Sequence, residues 1–120
     1  MLSLPIAPEI CLAQVISPAL ARLPKAMDSR SARILLLAIG AQESAFAARQ
    51  QVGGPAHGLW QFELAGVLGI LRYATTSEPM HSFASRCGML TITAQSIYDA
   101  LLTDDTLAAG VARLLLWSDR

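Results

Sequence analysis

Residues 32–46 read ARILLLAIGAQESAF. Ile34, Leu35, Ile39 and Phe46 recur at helical spacing in a run rich in Leu and Ala, which predicts a long helix from about Ser31 to Arg49. Asp28, Ser29 and Ser31 stand at its start, and each can cap it. One carboxylate, Glu43, interrupts the run. Stepping three and four residues along a helix gives it Leu36, Ile39, Gly40, Phe46 and Ala47 as neighbours, all apolar or without a side chain. A carboxyl so placed loses hydration, which disfavours its charged form and keeps a proton available near neutral pH. General acid catalysis needs that proton. Gly40, one turn earlier, leaves a gap for a substrate to approach. The alternative is a solvent-facing glutamate beside Arg49 or Gln42, and the stripe alone does not decide between them.

Outward from this helix the chain reads as further helices. Pro8 suits the first turn of a helix running towards Arg22, with Pro18 expected to break or kink it. After the long helix, Gly53, Gly54, Pro55 and Gly58 mark an ordered turn ahead of Leu59-Trp60-Gln61-Phe62. Shorter helices are expected over Glu63 to Arg72, Glu78 to Cys87 and Thr93 to Leu102. The last begins at Asp104 or Asp105, either able to cap it, and is apolar on nearly every side. Such a helix is either central or covered by a partner or by a C-terminal segment beyond Arg120. No alternating strand pattern is present, so the fold class is mainly α, and 120 residues suit one domain spanning 1–120.

Composition narrows the function. Hydrophobic residues make up 53% of the chain and charged ones only 15%, with a mean hydropathy of +0.45, which calls for a large core or for apolar faces covered by something outside this sequence. Nine basic residues balance nine acidic ones without a Lys/Arg cluster, which argues against nucleic-acid binding. No apolar run reaches the roughly 18 to 20 residues that span a bilayer. The first twenty residues are apolar but lack a positive leading segment and contain Glu9, so they read as part of the fold rather than a signal peptide. Cys11 and Cys87 are read as free buried thiols, and with His57 and His81 they make no ligand spacing, so neither metal nor cofactor is expected.

Glu43-Ser44-Ala45-Phe46 is followed by a Gly-rich turn and by Gly58-Leu59-Trp60-Gln61, with Gln61 eighteen positions after Glu43. This resembles the signature of the lytic transglycosylase and goose-type lysozyme superfamily: Glu-Ser, an apolar residue near Phe46, a small-residue turn and Gly-Leu-Met-Gln. Trp60 stands where Met is commoner. Farther on, Asp104 to Leu115 is similar to the family's later helix, usually Asn-Ile, a Gly and then Tyr-Leu; Thr106-Leu107 and Ala112-Arg113 take the outer positions, and the match is loose. The run from ESAF to GGPAHGLWQFE is nearest in kind to phage-associated lysozyme-like proteins.

The resemblance implies a lysozyme-like helical domain lacking its C-terminal helix and groove residues, acting on peptidoglycan glycan strands of the cell wall. Glu43 would protonate the glycosidic oxygen through an oxocarbenium-like transition state. Either it would then take the proton of the sugar's C6 hydroxyl and close a 1,6-anhydro ring, or water would attack, as in a muramidase. Ser44 would bond near the carboxyl or substrate, or else its own backbone. Gln61 offers a donor and an acceptor to an N-acetyl group, or else braces its loop. Gly58 would permit a conformation closed to other residues. Leu59, Trp60 and Phe46 are expected in the core, Trp60 with a secondary role as sugar-facing wall. Tyr73 and His81 are within reach of a cleft without any spacing that requires it. Glu63 is the candidate second carboxylate for hydrolysis, or else a helix-start acid favoured by the dipole; Asp104 and Asp105 stand farther off. Two other readings compete: a non-catalytic lysozyme-fold component of a virion or cell-wall binder, and a helical module that self-associates through apolar faces. The expected location is the cytoplasm until release, or a bacteriophage particle.

Overall fold

A computed structural model describes residues 1–118 of the chain. Pro8 opens α1 (Pro8–Cys11) at a position whose N–H would have no partner in any case. The path widens into a π-helical stretch, Leu12–Ile16, and continues as α2 (Ser17–Ala21). Pro18 therefore does not end the helical path as expected. The wide turn just before it, in which the Ser17 N–H reaches back to the Leu12 carbonyl, makes room for a residue that cannot donate to the ladder.

Ser29 caps α3 (Arg30–Ser44), its hydroxyl accepting the Ala32 N–H at 3.0 Å. Asp28 is engaged elsewhere, in a two-pronged surface pair with Arg33 at 2.9 and 3.0 Å that holds its carboxyl below the ordinary aspartate range. The helix ends at Ser44 rather than near Arg49, because Ala45 and Phe46 both turn left-handed at φ 52°. Then come α4 (Leu64–Arg72), α5 (Ser77–Arg86), α6 (Ala94–Ala100) and α7 (Asp105–Ser118), each close to its expected span. Thr93 and Ser96 form a reciprocal capping box on α6, and the Asp104 carboxylate accepts the Leu107 N–H at 2.9 Å to start α7. The fold is mainly α, with only isolated bridges among the described residues.

The helix α7 is central. Residues Leu107 to Val111 are buried without a break, and α2, α3, α4, α5 and the π stretch all pack on it. Small residues make this approach possible: a Cβ added at Gly110 would lie 2.0 Å from the Phe83 ring of α5. Farther along, Leu115 remains 43% exposed. At the other end, Asp105 caps nothing. It receives the Arg49 guanidinium through two bonds of 2.8 and 2.7 Å, and Arg49 also donates to the Leu2 carbonyl at 2.7 Å. Both side chains are buried, so the loop after α3, the N-terminal segment and the start of α7 meet at one ion pair. Cys11, in the core beside this pair, is a free thiol pushed up to about 12 by burial and then by the Asp105 charge; Cys87 is free and half-buried.

Among the described residues no helix is long and apolar enough to cross a membrane, and no group of three or more His, Cys, Asp or Glu side chains could hold a metal ion.

Two pairs of substitutions test this architecture by urea denaturation. Asp105→Ala strands a buried guanidinium and is expected to cost about 3–5 kcal/mol, whereas Asp28→Ala, which opens a surface pair, costs about 1 kcal/mol or less. Gly110→Ala drives a methyl into the buried Phe83 ring and is expected to cost about 1–3 kcal/mol. Gly69→Ala, where a Cβ meets nothing within 4 Å, is expected to stabilise α4 by about 0.5–1 kcal/mol.

Candidate active site

The chain reverses directly after Glu43. Left-handed backbone at Ala45 and Phe46 costs about 1–2 kcal/mol per residue, so the surroundings must impose it. Ser44 Oγ accepts the Phe46 N–H at 3.1 Å, and the Phe46 carbonyl accepts the Ile6 N–H at 2.9 Å. The Phe46 ring then folds beneath α3, where it meets Trp60 edge-to-face with centroids 5.9 Å apart. Trp60 donates its indole N–H to the Leu36 carbonyl at 2.9 Å. Gly40 is what admits both rings: a Cβ there would lie 2.3 Å from Phe46 and 3.1 Å from Trp60. The gap expected at Gly40 for a substrate is therefore filled by the protein itself. Phe46, Leu59 and Trp60 are core residues, as expected.

The second half of the motif is a tight turn closed by His57 and Phe62, which exchange backbone bonds of 2.8 and 2.9 Å. Gly58 sits in it at φ 83°, with the Leu101 carbonyl 3.2 Å from where a Cβ would be, so both conformation and space require glycine. Gln61 is also left-handed, at φ 57°, although it carries a side chain. Its Nε2 donates to the Gly58 carbonyl at 2.9 Å, bracing the turn and leaving Oε1 without a partner among the described residues. Ala45, Phe46 and Gln61 are the only non-glycine residues with positive φ among those described, and all lie within the motif. His57, for which the sequence suggested no role, stacks on the Tyr98 ring at 3.8 Å and donates Nδ1–H to the Tyr98 carbonyl at 3.0 Å, while the Tyr98 hydroxyl donates to the Pro55 carbonyl. The turn is thus fixed to α6.

Ser44 joins the two halves. Its hydroxyl lies 2.6 Å from the Leu59 carbonyl and 3.3 Å from that of Gly40, so the shorter bond spans from α3 to the turn. Of the two roles expected for Ser44, the structure shows the backbone one, with its own helix's Gly40 carbonyl and, beyond it, the turn's Leu59 carbonyl. In sequence it follows Glu43 directly, and Leu59 lies two residues before Gln61. The clasp fixes one relative to the other.

Glu43 itself is exposed, which corrects the expectation that its helix neighbours desolvate it. Leu36 and Gly40 turn inward while the carboxyl projects from the end of α3 at the meeting of two cavities, of about 380 and 530 Å³. Glu43, Gln61 and Glu63 border both. The smaller runs between α3, α4 and α7 over Ile39, Ala65, Leu115 and Leu116; the larger lies over the chain reversal, beside Gln42, Ser44 and Gln51. Trp60 borders the smaller, while Gly58 borders neither and acts through the turn. Among the described residues no Lys, Arg or His lines either cavity.

Glu63 sits at the start of α4 with its side chain capping nothing, which leaves its carboxylate open to the groove. Asp104 and Asp105 are engaged, one in capping and one in the buried pair, so neither is available as a second acid. Tyr73 and His81 are exposed and line neither cavity. The α7 wall was the part least visible in the sequence. Ala112 had been placed by the loose second motif, but Leu115 and Leu116 carry no pattern beyond apolarity.

Removing the Ser44 hydroxyl leaves the buried Leu59 carbonyl and the Phe46 N–H without it. Ser44→Ala is expected to cost about 1–3 kcal/mol in thermal or urea unfolding, and Ser44→Thr, which keeps the hydroxyl, to recover most of that loss.

Compared with protein-family models, curated proteins and solved structures, the chain matches none.

Proposed function

We propose that this protein cleaves peptidoglycan glycan strands, as a lytic transglycosylase or a lysozyme-type muramidase, with Glu43 as general acid and base. The observation that carries the proposal is that Glu43 and Gln61, eighteen residues apart in sequence, border the same two cavities and are tied together by the Ser44–Leu59 bond. Left-handed backbone at Ala45 and Phe46, just after Glu43, and at Gln61 itself adds support, since such strain collects where geometry serves a function. Glu43 is open to solvent in the empty groove. Loss of water around it would come with a bound glycan, which strengthens every electrostatic interaction inside the closed site.

In this mechanism Glu43 gives its proton to the glycosidic oxygen. Gln61 Oε1, without a partner among the described residues, accepts the acetamido N–H of the sugar and sets the strand over the carboxyl. Two routes then diverge. Ionised Glu43 takes the C6 hydroxyl proton and the anhydro ring closes, or Glu63, on the same groove, acts on the opposite side of the sugar through water.

Self-association is the second reading. Ile34 and Leu35, adjacent on α3, are 54% and 49% exposed, and a second copy would cover them.

Purified peptidoglycan incubated with the protein is expected to release muropeptides, and Glu43→Gln to slow release by about 10²–10⁴-fold. Mass analysis distinguishes anhydro from reducing ends. Absence of fragments with the wild type would sink the proposal; cleavage by Glu43→Gln at the wild-type rate would remove Glu43 as the acid. Sedimentation across a concentration series reads the association directly.

A further inference from the structure

The two cavities that meet at Glu43 differ in what their open walls can hold. On the α7 side, Leu115 and Leu116 face Ile39 of α3 and Ala65 of α4. The aromatic residues bordering this space, Trp60 and Phe62, are only 4% and 7% exposed, so no ring face is open for a sugar to lie against. The wall is aliphatic and concave, and Leu115 leaves 43% of its surface in water. On the other side lie the amides of Gln42 and Gln51, with that of Gln61 bordering both cavities, suited to hydroxyl and amide groups. The boundary between them carries the carboxylates of Glu43 and Glu63, with no basic residue among the described residues of either lining.

We propose that the ligand of this groove is a glycoside bearing an aliphatic group, alkyl or acyl, with an uncharged or cationic polar part. The aliphatic group occupies the space between Ile39, Ala65 and Leu115. The sugar crosses the Glu43–Glu63 boundary and meets the amides beyond it. An anionic head at that boundary would face two carboxylates with no Lys, Arg or His among the described lining residues to offset them. The apolar group buries aliphatic surface of this wall, of which Leu115 is 43% exposed. This inference rests on the proposed function in treating the two cavities as one substrate groove and in taking the polar part of the ligand to be a sugar.

Methyl NMR shifts of Ile39, Ala65, Leu115 and Leu116 test it without turnover, using three probes below their micelle-forming concentrations. Octyl β-D-glucoside is expected to shift these methyls saturably. Methyl β-D-glucoside should bind at least about tenfold more weakly, for want of the alkyl chain. Octyl sulfate should also bind more weakly than octyl glucoside, and Glu63→Gln should narrow that difference. Leu115→Gln, at an exposed position, should weaken octyl glucoside about fivefold with the rest of the spectrum unchanged. Equal binding of the methyl and octyl glucosides, or octyl sulfate binding as tightly as octyl glucoside, overturns the proposal. A protein that shows the expected shifts yet leaves peptidoglycan intact refutes the proposed cleavage and keeps the aliphatic subsite.

Discussion

The burial of α7 on almost every side is the constraint around which the molecule is arranged. A helix of this composition cannot lie at a surface, so the other helices must surround it, and small residues along it set how closely they come. Its beginning is fixed by the buried Arg49–Asp105 pair, its middle by the Phe83 ring over Gly110. Packing loosens only towards the end. There Leu115 and Leu116 face α3 across open space, and that space is the apolar half of the groove. Site and core are thus continuous, two stretches of the same helix with different degrees of cover.

The placement of Glu43 follows from a second arrangement at the end of α3. Phe46 must return beneath the helix to reach the core, which forces the reversal immediately after Ser44, and Gly40 supplies the room. The carboxylate is left at a helix end with open space on both sides. A glutamate one turn earlier would lie along the helix body, away from this junction. What the proposed chemistry needs is an acid that a ligand can both reach and cover, and the reversal provides that access.

The helical class and most element boundaries were legible because spacing and caps are local properties. The Thr93 and Ser96 box, the Asp104 cap and the breakers before Gly58 all act within a few residues. The end of α3 was not legible: nothing in Ala45 or Phe46 announces left-handed backbone, which is imposed by the Phe46 ring packing against residues 40 and 60. Glu43 and Gln61 stood out through their register, but the desolvation inferred for Glu43 from its helix stripe was wrong, since a stripe says nothing of where the helix ends. Ser44 was noticed for its neighbour and proved to matter for a carbonyl fifteen residues away. The bond between Asp105 and Arg49 spans 56 positions and leaves no trace in either segment.

The clasp between Ser44 and Leu59 also divides the connecting segment into parts with different freedom to change. Arg49 and Gln50 are tied back to Gly58 and His57 by backbone contacts, Gln51 and Ala56 are bonded to each other, and Ser44 secures Leu59, so residues 52–54 form the excursion outside a closed frame. Val52 at the tip of this excursion is almost wholly in solvent, at 96% exposed. Surface loops accept changes in length more readily than the elements they join. Lineages carrying this frame could therefore lengthen or shorten the excursion, reshaping the polar end of the groove, without altering the spatial relation between the acid and the amide.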